Sequence, residues 1–147
     1  MNTWRKHLGR RINKKMSIFF DTCAFIALIN QDDEFHSRAS DLFIKAAEAD
    51  EKFFTSNYVI LETIFLLQRE LGLSAVNDFR KLLLPVINII WVDEKIHSNC
   101  LNNLITAQKR KISLTDYSSF HIIDNFNINK VFTFDKHFKE KGYKTLE

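Results

Sequence analysis

Apolar residues along the chain follow two rhythms, one of short unbroken runs and one of helical spacing. The run Ser17–Phe20 (SIFF) stops at Asp21 and reads as a buried strand, because residues 23–29 can turn over it as a helix. A strand followed at once by a helix points to a parallel sheet. Residues 34–49 place Phe35, Ala39, Leu42, Phe43, Ala46 and Ala47 at helical spacing with polar residues between, which predicts an amphipathic helix. A small strand at 53–55 leads to a long helix over 58–71, capped by Ser56 or Asn57 and ended by Gly72 at C′. The pattern then predicts a helix over 74–84 stopped by Pro85. The β-branched run 86–92 (VINIIWV) reads as a central strand. Beyond it come helices over 93–108 and 116–125, the second preceded by capping-box spacing from Ser113 to Asp116. A strand at 131–134 (VFTF) and a final edge strand at 143–146 complete one α/β sandwich with helices in the majority. No internal repeat or interdomain linker interrupts it.

Composition narrows the chemistry. The chain of 147 residues has three glycines and one proline. Only Gly72 and Gly142 lie beyond the first fifteen residues, which excludes the glycine-rich phosphate cradles of P-loop and dinucleotide-binding folds. The net charge of +3 hides an uneven distribution. Residues 1–15 hold Arg5, Lys6, Arg10, Arg11, Lys14 and Lys15 and no acid, so residues 16–147 carry fifteen basic against eighteen acidic residues, a net −3. We expect a basic leader over 1–15, disordered or not native, and a folded domain over 16–147. The leader does not read as a secretory signal, since Asp21 breaks the apolar stretch and no small-residue cleavage site follows. No membrane association is expected. Cys23 and Cys100 lack any CxxC partner and read as two reduced thiols in a cytoplasmic protein.

The informative residues are acids that interrupt apolar segments, because an ionised carboxylate removed from water must be paired, hydrogen-bonded or metal-bound. Asp21 and Asp135 follow apolar strands, and in a parallel sheet the strand C-termini converge on one edge where ligands bind. Glu62 lies in YVILETIFLL, so apolar that nearly every face of the helix should be buried. Asp116 begins a helix, whose backbone N–H groups and dipole should hold it ionised. Separations of 41, 54 and 19 residues make no local motif, so convergence rests on topology. Taken singly, each acid has a local explanation: a loop or turn residue, a helix cap, or for Glu62 an ion pair with Arg69. If the four meet, their repulsion calls for a cation, and an all-oxygen set suits Mg²⁺ or Mn²⁺. Such an ion equips a site for phosphodiester hydrolysis without a nucleophilic serine or cysteine.

Four segments resemble PIN-domain ribonucleases, most closely the VapC-like toxins of bacterial toxin–antitoxin pairs: IFFDTCAFIALIN at 18–30, SNYVILETIFLL at 56–67, KISLTDYSSFHII at 111–123 and VFTFDKHFKEKGYKTL at 131–146. They lie in family order across residues 16–147. The resemblance implies a three-layer α/β/α sandwich around a mainly parallel sheet and a Mg²⁺-dependent endoribonuclease. It matches Asp21, Glu62 and Asp116 to the three core metal-site acids and Asp135 to a fourth, more variable one. Thr133 matches a supporting hydroxyl position, and Thr22 is the hydroxyl residue that often follows the first acid. Cys23 departs from the Asn or Ser common at its place, which removes an expected side-chain hydrogen bond near Asp21. The family's reaction leaves 5′-phosphate and 3′-hydroxyl ends.

RNA also needs cations along its backbone. Lys109, Arg110 and Lys111 precede Asp116, while Lys130, Lys136, Lys139, Lys141 and Lys144 surround Asp135, together making a candidate basic rim, with Lys109, Arg110, Lys111 and Lys136 as the candidate RNA backbone contacts. His36, His97, His121 and His137 read as surface or packing residues. The family resemblance implies a homodimer and a silencing antitoxin, with the helices over 58–71 and 34–49 as candidate surfaces. A PIN nuclease of RNA processing without an antitoxin, and a catalytically silent PIN-like binding module, are the competing readings. An aspartate-based phosphatase lacks its second acid, since Cys23 stands there.

Overall fold

The computed structural model describes residues 15–146. The expectation of a leader therefore falls mostly outside the described residues. At its margin, the Lys15 ammonium lies 2.5 Å from the Asp50 carboxylate.

Among the described residues four strands form one sheet: β1 (Ser17–Phe20), β2 (Lys52–Ser56), β3 (Asn88–Ile90) and β4 (Lys130–Phe132). Their order is β3-β2-β1-β4, and every pairing is parallel. Seven α-helices among the described residues connect and follow them: α1 (Thr22–Ile29), α2 (His36–Glu48), α3 (Asn57–Glu70), α4 (Leu73–Asp78), α5 (Glu94–Ala107), α6 (Leu114–Asn125) and α7 (Lys136–Glu140). Neighbouring residues of a strand point to opposite faces. Ile18, Phe19 and Phe20 are nevertheless all buried, so helices cover both faces of the sheet and the fold is a three-layer α/β/α sandwich. Phe20 sits at the core's centre, its ring 5.0–6.1 Å from those of Phe25, Phe43, Phe53 and Phe132.

Several elements differ from the expectation. The run 86–92 forms only three residues of strand, and β3 lies at the sheet edge instead of its centre. β-branched composition signals a strand but not its place in the sheet. The ladder ends early because Asn57 takes over the backbone of Val92: its Oδ1 accepts the Val92 N–H at 2.7 Å and its Nδ2 donates to the Val92 carbonyl.

The helix expected over 74–84 is α for one stretch only, then a wider π turn (Phe79–Leu83) and a 3₁₀ turn (Leu84–Val86) that contains Pro85. Ala75, Phe79 and Leu83 are all buried. A strict four-residue stripe drifts around an α-helix of 3.6 residues per turn, and the wider turn brings it back to the core. At the chain's end, the edge strand expected over 143–146 shrinks to a single parallel bridge between Val131 and Thr145, because Tyr143 stacks on Phe120.

Ser56 caps α3 by accepting the Val59 N–H, and Gly72 takes the expected left-handed conformation at φ 94°. The helix is not buried all round, however: Leu61 and Phe65 are 69% and 57% exposed. Only the stripe Val59–Thr63–Leu67 is fully buried. An apolar segment this dense exceeds what one core contact can cover.

Candidate active site

Because all four strands run parallel, their C-terminal ends share one edge. Asp21 leaves β1 there and Ser56 opens α3, which carries Glu62 about one and a half turns further on. Residues 133–135 continue from β4. Asp135 does not follow that strand directly: β4 ends at Phe132, and Asp135 caps α7 by accepting the His137 N–H at 3.0 Å. Asp116 arrives from elsewhere, on the first turn of α6. A complete capping box fixes it, with Ser113 Oγ accepting the Asp116 N–H at 3.1 Å and Asp116 Oδ2 accepting the Ser113 N–H at 3.0 Å.

Asp21, Glu62, Asp116 and Asp135 line one cavity of about 540 Å³, together with Thr22, Cys23, Lys111 and Ser113. Asp33 and Glu34 also reach it. Sequence reasoning missed those two because they lie in an acidic turn that reads as solvated. Arg69, the alternative partner for Glu62, pairs instead with Glu70 at 2.7 Å and lies over the Phe65 ring.

Electrostatics mark the cavity as short of positive charge. Burial pushes the Asp21 carboxyl up to about 7, helped by the charge of Asp116 and opposed by bonds from Thr22, Thr133 and Cys23. Glu62 is raised by burial and by Asp116, against the hydroxyls of Thr115 and Thr22. Asp116 is raised as well, chiefly by burial and then by Asp135. At the helix start the Ser113 N–H favours the ionised carboxylate, as expected, while desolvation acts in the opposite direction and more strongly.

A hydrogen-bonded network ties the two strand ends together. Thr133 Oγ1 donates to Asp21 Oδ2 at 2.9 Å and accepts the Asp135 N–H at 3.0 Å. Cys23 does not leave the gap its departure from Asn or Ser suggested. Its thiol lies 3.5 Å from Asp21 Oδ2 and 3.3 Å from Thr133 Oγ1, and accepts the Phe134 N–H. Burial and the Asp21 charge push that thiol up to about 12, so it remains a proton donor.

The histidine expectation also changes at one position. Ligand atoms of Asp116, Asp135 and His137 lie within 4.8 Å of one another, and His137 Nδ1 is 2.9 Å from Asp135 Oδ1 without an aligned hydrogen bond. The signal available in the sequence was its position two residues after Asp135, on the turn that Asp135 caps. The Thr22 hydroxyl, buried in the same cavity, completes no hydrogen bond of good geometry. Crowded carboxylates with raised proton affinity and an all-oxygen majority of donors, with the Thr22 hydroxyl beside Glu62 but not well aligned on it, fit a hard divalent cation.

Of the basic residues singled out, Lys111 lines this cavity and Lys136 a neighbouring one. Lys109 and Arg110 are exposed on the turn between α5 and α6. Replacing Ser113 by alanine removes one half of the capping box and is expected to cost about 1 kcal/mol of stability, measurable by urea unfolding.

Comparison with known proteins identifies the family of this fold. Residues 18–143 match the PIN domain, and the chain belongs to the PIN-domain family. It is 30% identical over 127 residues to the 23S rRNA-specific endonuclease VapC20 of Mycobacterium tuberculosis, covering 86% of this chain and 95% of that protein. The crystal structure of VapC20, described as a sarcin-ricin loop cleaving toxin, superposes with a TM-score of 0.74 at 29% identity, over 86% of this chain and 95% of that one. FitAcB from Neisseria gonorrhoeae shares the fold at 16% identity, with a TM-score of 0.63 over 88% and 96% of the two chains. The two cysteines are free, and no helix among the described residues is long and apolar enough to cross a membrane.

Proposed function

We propose that this chain is a Mg²⁺-dependent endoribonuclease acting in the cytoplasm as the toxin of a toxin–antitoxin pair. The observation that carries the reading is the convergence of Asp21, Glu62, Asp116 and Asp135, from four separate segments, on one cavity. These four would hold the ion, with Mn²⁺ as a substitute. When bound, the ion lowers the pKa of a coordinated water and offsets charge that develops on a phosphate.

The rest of the work falls to the chain itself. Thr133 and Cys23 hold the Asp21 carboxylate in one orientation, and the capping box does the same for Asp116. Lys111 places a positive charge on the cavity wall, where a substrate phosphate would enter. The nuclease reading draws on the 30% identity to a 23S rRNA endonuclease, and the toxin role on the description of that relative's structure. The exposed side chains of Leu61 and Phe65 on α3 give an apolar face suited to the implied homodimer or to an antitoxin.

Incubating the purified chain with bacterial RNA in Mg²⁺ and in EDTA tests the reading. We expect discrete cleavage in Mg²⁺ and none in EDTA, and cleavage undiminished by EDTA would refute the metal-dependent reading.

A further inference from the structure

Next to the carboxylate cavity lies a second one of about 240 Å³, whose lining includes Arg38 from α2 and Lys136 and Lys139 from α7. Phe35, Phe134 and Asp135 line both cavities, so the two are contiguous. The rings of Phe35 and Phe134 stand between them, parallel within 3° and with centroids 4.5 Å apart.

Charge changes sign across this aromatic pair. On one side Asp21, Asp33, Glu34, Glu62, Asp116 and Asp135 face a single cation, Lys111. On the other, three cations accompany Asp135 alone. Lys136 and Lys139 are three residues apart and share one face of their helix, and Arg38 reaches the same cleft from a different element.

A polyanion with regularly spaced phosphates suits this juxtaposition. One phosphate belongs at a cation held by the carboxylates, and its neighbour needs positive side chains. A flat aromatic surface between the two accepts a base by stacking, whatever its identity. An acidic peptide would satisfy the cations but would leave the ring pair and the adjoining metal-type cavity unused.

We propose that the cleft of Arg38, Lys136 and Lys139 is a phosphate subsite for single-stranded RNA, holding the backbone phosphate next to the one that is cut, with Phe35 and Phe134 as the ledge for the base between them. The inference rests on the RNA-cleaving reading of the neighbouring cavity. Guanidinium and phosphate pair in a bidentate manner, so Arg38 is the principal contact. Lys136 supplies charge nearer Asp135.

Binding can be measured by fluorescence anisotropy with a labelled single-stranded RNA oligonucleotide in Ca²⁺ at several salt concentrations. Arg38 and Lys136 are exposed, so the Arg38→Ala/Lys136→Ala chain should fold as the wild type does. Its affinity is expected to fall about tenfold or more, and its salt slope by about 0.7 for each phosphate of the single strand that is no longer neutralised. Phe35→Leu should weaken binding with the slope unchanged.

Unaltered affinity and slope in the double variant would overturn the proposal, and so would a wild-type chain that binds no RNA. If the double variant keeps its RNA affinity but loses an oligoglutamate peptide that the wild type binds, the cleft is a protein-docking site and the proposal fails. Failure of the RNA-cleaving reading is distinguishable from these outcomes: the wild type would bind the oligonucleotide yet leave it intact in Mg²⁺.

Discussion

An Asp116→Asn chain is expected to fold normally and to lose Mg²⁺-dependent RNA cleavage by well over a hundredfold. Asp116 is the electrostatic hub of the cavity: its charge raises Asp21 and Glu62, and Asp135 in turn raises Asp116. Asparagine keeps an oxygen to accept the Ser113 N–H, so the capping box and the helix start survive. What disappears is a negative ligand. Removing a group that only supports a ligand costs roughly 10–100-fold in metal affinity or activity, which is the range expected for Thr133→Val. Losing a ligand itself should exceed that range. Single-turnover cleavage of a defined RNA by the three proteins, with circular dichroism to verify folding, measures the ordering directly. Equal losses in Asp116→Asn and Thr133→Val would mean that Asp116 acts as a supporting residue and not as a ligand.

The second large effect is on stability, and it has the opposite sign. In EDTA at pH 8, Asp21→Asn should be more stable than the wild type, by on the order of 4 kcal/mol. Burial raises the folded-state pKa of Asp21 from 3.8 to about 7, so the folded chain holds a proton that the unfolded chain has already released. Folded stability therefore declines as pH rises from about 4 to about 7, and the full penalty is present above that window. Asparagine does not titrate and escapes it. Millimolar Mg²⁺ should reverse the order, since a cation that binds only the folded wild type stabilises it by RT ln(1 + [L]/Kd) and has lost its ligand in the variant. Thermal melts of both proteins at pH 5 and pH 8, with EDTA or Mg²⁺, test the crossing. A variant less stable than the wild type in EDTA at pH 8 would show that the Asp21 charge is already compensated within the chain.

Much of this was legible in the sequence, and the residues show why. The strand Ser17–Phe20 announced itself because burial on both faces leaves an unbroken apolar run. Asp21 stood out because nothing in that run explains a charge. Asp116 carried its own local signature, the spacing to Ser113, and the structure closes both bonds of that box.

The misreadings share a cause, which is that local pattern does not encode lateral position. The run 86–92 looks central and forms an edge, because nothing in a β-branched stretch records how many neighbours it will have. The long helix looks buried all round because it carries more apolar residues than the core can use, so Leu61 and Phe65 remain exposed. His137 reads as a surface or packing residue because its link to Asp135 comes from a five-residue helix too short to leave a periodic trace. Arg38 and Phe35 join Asp135 only through packing of α2 beside the β4 end, a juxtaposition that no spacing in the chain reveals.

Whether the four distant carboxylates form one divalent-cation site can be read by anomalous diffraction from crystals grown with Mn²⁺. We expect a manganese peak inside the cavity bounded by Asp21, Glu62, Asp116 and Asp135, absent from crystals of Asp116→Asn. A well-ordered wild-type cavity with no manganese, or manganese bound only elsewhere on the chain, would contradict it.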